Sequence, residues 1–460
     1  MDTRITFDPE LIRKYDLSGP RYTSYPTAVQ FHEGFDESSY RRHVAASNEA
    51  GRPLSLYLHI PFCDTVCFYC ACNKVITRNR ARSSDYLVGL HREIELQGAL
   101  FDRGRPVEQL HWGGGTPTFI SPEEMGQLMA KTGEHFTLLD DDRGEYSIEV
   151  DPRSVDPAGI GLLRGLGFNR LSIGVQDFDP AVQRAVNRIQ PREVTLAALD
   201  AARQEGFKSI SVDLIYGLPL QSRDSFARTL DEVVELAPDR LSVFNYAHLP
   251  HMFKTQRQIV DSQLPTAETK LTILGDVIAH LTDAGYVYIG MDHFAKPDDE
   301  LARAQQHGDL YRNFQGYSTH ANCDLVALGA TSIGMVGDTY SQNLRGVDEY
   351  SAAIGRGTVP VFRGIELSAD DRLRRDVITQ LICNLRVSAA AVESRHGIRF
   401  SDYFAPELEA LGRMHNDGLL KVDADGVEVL PSGRLLIRNI CMVFDAYLRE
   451  STGQRFSKVI

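Results

Sequence analysis

Four cysteines fall within ten residues: Cys63, Cys67, Cys70 and Cys72. The first three follow a Cys-x3-Cys-x2-Cys spacing, compact enough for one loop to wrap three corners of a [4Fe–4S] cube. Ligation by four cysteines is the usual arrangement for electron transfer. Ligation by Cys63, Cys67 and Cys70 alone leaves one iron open to the amino and carboxylate groups of a small molecule, a starting point for radical chemistry. A structural zinc site wants four ligands in a tetrahedron, commonly as two separated pairs. Cys72 stands only two residues after Cys70, too close for so short a loop to place four sulfurs well. The remaining cysteines, Cys323, Cys383 and Cys441, are scattered, and an odd total of seven with one tight cluster is a metal-binding pattern rather than a disulfide framework.

The elements that must position this loop follow a rhythm. Short β-rich runs at Leu54–Ile60, Glu108–Trp112, Glu145–Val150, Arg170–Val175, Ser209–Leu214 and Arg240–Asn245 alternate with amphipathic segments at 84–100, 121–135, 179–205 and 222–236. That alternation predicts βαβ units, a parallel sheet and right-handed crossovers. Six units make a partial (β/α)6 barrel, an α/β fold whose chemistry belongs at the carboxyl ends of the strands. Chemistry-bearing residues stand there each time. The cysteines follow the first run and Gly113-Gly114-Gly115-Thr116-Pro117 the second. Glu149 and Asp151 end the third, Gln176 and Asp177 follow the fourth, Asp213 ends the fifth, and Asn245, Tyr246 and Ala247 close the sixth. Glycines at 113–115 permit close backbone approach to a ligand.

Three stretches are expected along the chain: an N-terminal arm or lid over 1–50, the barrel and its extension over 51–340, and a mainly helical domain over 341–460 of winged-helix-like character. A helix is predicted at 266–284, a short strand at 286–291, and an apolar run at 325–335 that closes one side of the barrel. Beyond about 363 the chain reads as two helices, a hairpin around Asp423–Gly426 and a last helix over 433–449.

The chain has 460 residues, 43% hydrophobic and 24% charged, with a formal net charge of −13. Such a balance argues against nucleic-acid partners, which need a basic footprint. No window reaches the roughly 18 apolar residues of a membrane span. The N-terminal sequence lacks a basic segment followed by an apolar run, so the reading is cytoplasmic.

The cysteine segment, Tyr57 to Lys74, resembles the radical S-adenosylmethionine family and, within it, the bacterial oxygen-independent coproporphyrinogen III oxidases. The resemblance extends through PRYTSYPT (20–27), HWGGGTPT (111–118), SIEVDPR (147–153), NRLSIGVQDF (169–178), DLIYGLP (213–219), FNYAHLP (244–250), GMDHFA (290–295), NFQGY (313–317) and RNICMVFD (438–445). It implies one [4Fe–4S] cluster on Cys63, Cys67 and Cys70, and two S-adenosylmethionine molecules. The first would be contacted by Tyr57, Gly114, Glu149 and Ile333. The second would be contacted by Tyr69, Gly115, Thr116, Gln176, Arg188, Asp213 and Ala247. Cys72 is implied as part of the signature without being a ligand, either as a proton or hydrogen donor or as packing. On residue type alone, Tyr57 and Tyr69 are equally core aromatics, Ile333 is a core residue, Arg188 is more often a solvated helix residue, and a surface salt bridge is the lesser reading of Glu149.

The implied activity is decarboxylation of two propionates of coproporphyrinogen III to vinyl groups, giving protoporphyrinogen IX through a 5′-deoxyadenosyl radical. A low-potential donor such as flavodoxin or ferredoxin, and a monomeric state, are implied with it. The substrate's carboxylates call for basic partners despite the acidic chain, and Arg21, Lys74, Lys296 and Arg312 are candidates, with Tyr22 and Tyr25 to stack on the ring. Two rivals predict otherwise: a haem-binding relative without oxidase activity, typically with an aromatic residue in place of Cys72, and a plain iron–sulfur electron carrier that leaves the barrel unexplained.

Overall fold

The computed structural model describes residues 4–450, which form two compact units, each assembled from separate stretches of sequence. The barrel unit comprises 31–266 and 322–366; the other comprises 4–30, 267–321 and 367–450.

Six strands of the barrel unit run parallel: β1 (Leu54–Ile60), β2 (Pro106–Gly114), β3 (Glu145–Val150), β4 (Arg170–Gln176), β5 (Ser209–Tyr216) and β6 (Arg240–Asn245). Each pairs in parallel with the next. On its other edge β1 pairs in parallel with β7 (Asp324–Leu328), which continues antiparallel through β8 (Ile333–Val336), β9 (Thr339–Asn343) and β10 (Val361–Glu366). The apolar run at 325–335 is thus two strands and a turn. The boundary expected near 340 falls inside β9, whose ladder to β8 and β10 ties 339–366 to the sheet.

β1 is buried along nearly its whole length, whereas β3 and β5 alternate, burying the face that meets the crossover helices and leaving the other half-buried. Helices Ala81–Gly98, Pro122–His135, Pro157–Gly165, Arg192–Gln204 and Arg223–Leu236 fill the crossovers. Their starts are written locally. Ser121 and Glu124 form a capping box, and Asp156 accepts from Gly159 N. Trp112, fully buried on β2, meets Phe168 edge-on at 5.0 Å. The amphipathic stretch 179–205 is two helices, Pro180–Ala185 and Arg192–Gln204, rather than one. Asn187 at φ +55° and Pro191 break it, and Arg188 lies in the break.

The expected N-terminal arm divides between the units. Residues 37–50 form a helix of the barrel unit, capped by the Asp36 side chain on Ser39 N and ended by Gly51 at φ +62°. The other unit carries helix Ala267–Asp283, hairpins at 287–295 and 311–318, helix Ala369–Asn384, and a three-stranded antiparallel sheet of 386–388, 426–429 and 420–423. The hairpin expected around Asp423–Gly426 is there. The last helix is interrupted, with a 3-10 turn at Arg434–Leu436 followed by Ile437–Val443 and Ala446–Glu450.

Candidate active site

The cysteine loop leaves β1 and is pinned on three sides. Phe62–Cys63 pairs in parallel with Val75–Ile76, so the chain doubles back after the last cysteine. Phe68 N donates to Val186 O at 2.9 Å and Asn187 Nδ2 to Val66 O at 2.8 Å, both from the break between helices. On the third side, the short turn Lys254–Gln258 clamps the loop. Thr255 Oγ1 donates to Cys70 O at 3.1 Å, and the buried Gln256 bridges Tyr69 O at 3.0 Å and Ala247 O at 3.2 Å. Its Oε1 accepts from Leu249 N at 2.6 Å, so one amide ties the loop to the end of β6.

The glycines at the end of β2 serve this docking. A Cβ on Gly115 would stand 2.8 Å from Phe62 O and from Pro61 C and O; one on Gly114, at φ +127°, would stand 2.8 Å from Ile60 O. A Cβ on Gly113 would meet the Glu149 carboxylate at 2.9 Å. Gly115 N and Thr116 N donate to Ile60 O and Phe62 O, both at 2.9 Å. The side-chain space of Gly114 and Gly115 is filled by backbone of residues 60–62, so these two positions must lack a Cβ.

Hydrogen-bond donors are aimed at the sulfurs. Thr116 Oγ1 lies 3.5 Å from Cys63 Sγ. Arg188 Nη1 and Arg153 Nη2 lie 3.6 and 3.7 Å from Cys67 Sγ. Asp151 holds both guanidiniums, at 3.0 Å from Arg188 Nη1 and 2.6 Å from Arg153 Nη2. Arg188 also donates to Gly174 O at 2.6 Å; its Nε is buried without a partner among the described residues. The Cys70 thiol is pulled down to about 6, first by the hydrogen bond from Cys72 and then, against burial, by Lys74. Lys74 Nζ itself donates to Cys70 O at 2.9 Å. Burial pushes Cys63 up to about 11, with Cys67 and Cys70 adding to the rise. None of the cysteines is in a disulfide. Thiols carried on one short loop, each faced by a donor or a cation, are the sulfur environment of an iron–sulfur cluster, whose thiolates carry negative charge and accept such bonds.

A second layer faces the loop from β1, β2 and β3. Tyr57 stacks on His111 with ring centroids 5.8 Å apart and a 12° tilt. His111 Nδ1 meets Ser147 Oγ at 2.6 Å and its Nε2 meets Glu149 Oε1 at 3.4 Å, while Gly114 N donates to Glu149 Oε2 at 3.1 Å. Burial would raise the Glu149 carboxyl, but these partners outweigh it and hold the pKa below its ordinary value, so the group is ionised. Burial lowers His59 to about 4, leaving it neutral at pH 7. Its Nε2 then donates to Asn73 O at 3.3 Å, and its Nδ1 accepts from the Tyr57 hydroxyl at 3.0 Å.

The remaining sequence candidates occupy neighbouring strand ends. Gln176 takes φ +70° at a register shift of β4, beside Gly174 and the Arg188 guanidinium; a non-glycine residue held there is strained backbone of the kind found at functional sites. Burial pushes Asp213 on β5 up to about 6, although Ser172 Oγ donates to it at 3.0 Å. Tyr69 packs with Val182, Val186, Leu218 and Tyr246. Ala247 offers its carbonyl to Gln256, and Ile333 is half-buried on β8. Sequence reasoning missed Thr255, Gln256, His111 and Arg153. For His111 and Arg153 a signal existed, because each lies inside a motif quoted above.

The profile of the Radical SAM superfamily matches residues 57–233, and that of the HemN C-terminal domain matches residues 367–436. Over 460 residues the chain is 55% identical to the oxygen-independent coproporphyrinogen III oxidase of Pseudomonas aeruginosa, covering 100% of both chains. It is 52% identical to the protein of the same name from Escherichia coli, covering 99% of each. The solved structure of coproporphyrinogen III oxidase (HemN) from Escherichia coli, described as a radical SAM enzyme, superposes with a TM-score of 0.92 at 50% identity, over 96% of this chain and 100% of that one.

Proposed function

The chain belongs to the oxygen-independent coproporphyrinogen III oxidase family within the radical SAM superfamily, and from that premise we propose how its residues carry out the reaction. It is an oxygen-independent oxidoreductase of haem biosynthesis that acts on coproporphyrinogen III, and the family carries a [4Fe–4S] cluster and S-adenosylmethionine. The single observation that carries the reading is the cysteine loop docked on the β2 glycines, with donors directed at its sulfurs.

Cys63, Cys67 and Cys70 are the three ligands, and Cys72 hydrogen-bonds Cys70 from outside the set. When bound, the reduced cluster supplies the electron that splits S-adenosylmethionine into methionine and the 5′-deoxyadenosyl radical. Thr116, Arg153 and Arg188 stabilise the thiolate charge through their bonds to sulfur. Asp151 keeps the two guanidiniums in place and limits the positive charge they add. The ionised Glu149, fixed by Gly114 N and His111, accepts from the ammonium or ribose hydroxyls of a first S-adenosylmethionine, with Tyr57 and Ile333 as its apolar neighbours. A second S-adenosylmethionine is contacted by Tyr69, Gly115, Thr116, Gln176, Arg188, Asp213 and Ala247. The buried Nε of Arg188 is a free donor for its carboxylate, which supports this assignment.

On the substrate, a hydrogen atom passes from the β-carbon of a propionate to the 5′-deoxyadenosyl radical, giving 5′-deoxyadenosine; loss of CO2 and of one electron to an external one-electron acceptor then leaves a vinyl group. Two propionates react in turn and protoporphyrinogen IX results. Flavodoxin or ferredoxin as donor, a monomeric state and a cytoplasmic location complete the proposal. Among the described residues no helix is long and apolar enough to cross a membrane.

The test is anaerobic turnover. Reconstituted protein, a strong reductant, S-adenosylmethionine and coproporphyrinogen III should yield 5′-deoxyadenosine, CO2 and protoporphyrinogen IX. Tight haem binding without any of these products would overturn the reading.

A further inference from the structure

Arg312 and Arg438 are buried arginines of the non-barrel unit. Arg312, on the strand Tyr311–Asn313, is 8% exposed, and its Nε and Nη1 are buried with no hydrogen-bond partner among the described residues. Its guanidinium lies over the Tyr317 ring, 4.7 Å from the centroid. Arg438, 3% exposed, donates to Pro20 O at 2.9 Å and to Gly19 O, the two carbonyls just before Arg21. Arg21 in turn reaches Asp292 at 2.7 Å. Burial first, and the charges of Arg21 and Arg312 after it, pull Arg438 down to about 10, so both lie within electrostatic reach of it. Asp292 acts on Arg438 with the opposite sign. Asp445, also in this unit, is committed to the Tyr22 hydroxyl and to Tyr447 N and Leu448 N.

A guanidinium buried near other arginines, with two nitrogens unbonded among the described residues, is an expensive arrangement for a fold to keep. A ligand that brings negative charge and acceptor oxygens relieves it. A guanidinium presents parallel N–H bonds matched to a planar carboxylate, and Tyr317 keeps the Arg312 fork in one plane. We propose that Arg312, supported by Arg21 and Arg438, is a carboxylate-binding site that receives a propionate of the tetrapyrrole substrate; this rests on the functional reading above. Of the four basic residues singled out in the sequence, Arg21 and Arg312 are in this cluster, whereas Lys74 is taken up by carbonyls of the cysteine loop. Arg438 is a member that the sequence did not single out.

The experiment compares Arg312→Gln and Arg312→Lys with the unaltered full-length enzyme, each with its cluster reconstituted. For Arg312→Gln the KM for coproporphyrinogen III should rise about ten- to a hundred-fold, the loss typical of a charged hydrogen-bond pair. The lysine variant should recover part of it. Substrate-free reductive cleavage of S-adenosylmethionine should be unchanged, and the thermal midpoint should be equal or higher, because a buried unpartnered charge is gone. Binding of coproporphyrin III should exceed that of its tetramethyl ester in the unaltered enzyme, and Arg312→Gln should lose that preference. An unchanged KM with the acid-over-ester preference intact would overturn the proposal. So would a lowered midpoint with equal loss of acid and ester binding, since that is a structural role. If the unaltered enzyme neither binds coproporphyrin nor converts coproporphyrinogen, the functional reading itself falls, and this inference with it.

Discussion

Asp213→Asn should make the protein more stable and less active. The carboxylate sits on β5 and accepts from Ser172 Oγ at 3.0 Å, yet burial pushes its pKa from 3.8 to about 6. A carboxyl whose pKa is higher folded than unfolded binds its proton more tightly in the fold. Its ionised form therefore destabilises the native state above pH 6, and the penalty fades as pH falls through 6 towards 4. A shift of about two units at about 1.4 kcal/mol each gives about 3 kcal/mol at pH 8. Asparagine keeps the shape and the acceptor oxygen but cannot ionise, so it removes that penalty. For a unit of this size, about 3 kcal/mol corresponds to a rise of very roughly 3–6 °C in melting midpoint. The assay is thermal unfolding of both proteins between pH 5 and 8, under anaerobic conditions. The gap should be widest at pH 8 and close towards pH 5, while S-adenosylmethionine cleavage falls at least about ten-fold, because the variant lacks the charge that the site retains at a cost. Asp177, also raised to about 6 by burial, titrates in both proteins and cancels in the comparison. A variant no more stable at pH 8, or one that keeps the pH slope of the unaltered protein, would refute the reasoning.

Gly115→Ala should cost about 1–3 kcal/mol and lower the iron retained per chain, because the new Cβ meets Phe62 O and Pro61 backbone at 2.8 Å; full iron occupancy would contradict the docking role. Gln256→Ala removes the bonds to Tyr69 O, Ala247 O and Leu249 N, at about 1–3 kcal/mol, and should speed iron loss to a chelator. Thr116→Val keeps the shape but deletes the donor 3.5 Å from Cys63 Sγ, and a redox titration should find the cluster potential more negative; an unshifted potential would show that this contact does not tune it.

Local patterns carried the legible part of the fold and site. Six parallel strands appear near the β-rich runs because each run is short, apolar and bounded by turns, and the cysteine and glycine spacings belong to single loops. What was not legible depends on distant contacts. Thr255 and Gln256 act on Cys70 and Tyr69 across 185 and 187 positions, and nothing in their own neighbourhood marks them. Arg188 was singled out from resemblance alone; its place beside Cys67 comes from the break at Asn187 and Pro191, which helical periodicity over 179–205 concealed. The glycine spacing shows in the sequence, but that Gly114 and Gly115 must lack a Cβ because backbone of residues 60–62 lies against them does not. Sequence order suggests contiguous domains, whereas compactness joins 4–30, 267–321 and 367–450, a grouping invisible without tertiary packing.

The most direct test of the account is the electron paramagnetic resonance spectrum of the reduced protein, recorded with and without S-adenosylmethionine. Three cysteine ligands and one open iron predict a [4Fe–4S] signal that changes when the amino and carboxylate groups of S-adenosylmethionine reach that iron, and the loss of this signal in Cys63→Ser, Cys67→Ser and Cys70→Ser, with the signal retained in Cys72→Ser. A spectrum indifferent to S-adenosylmethionine, or a cluster lost in Cys72→Ser as fully as in the other three, would contradict it.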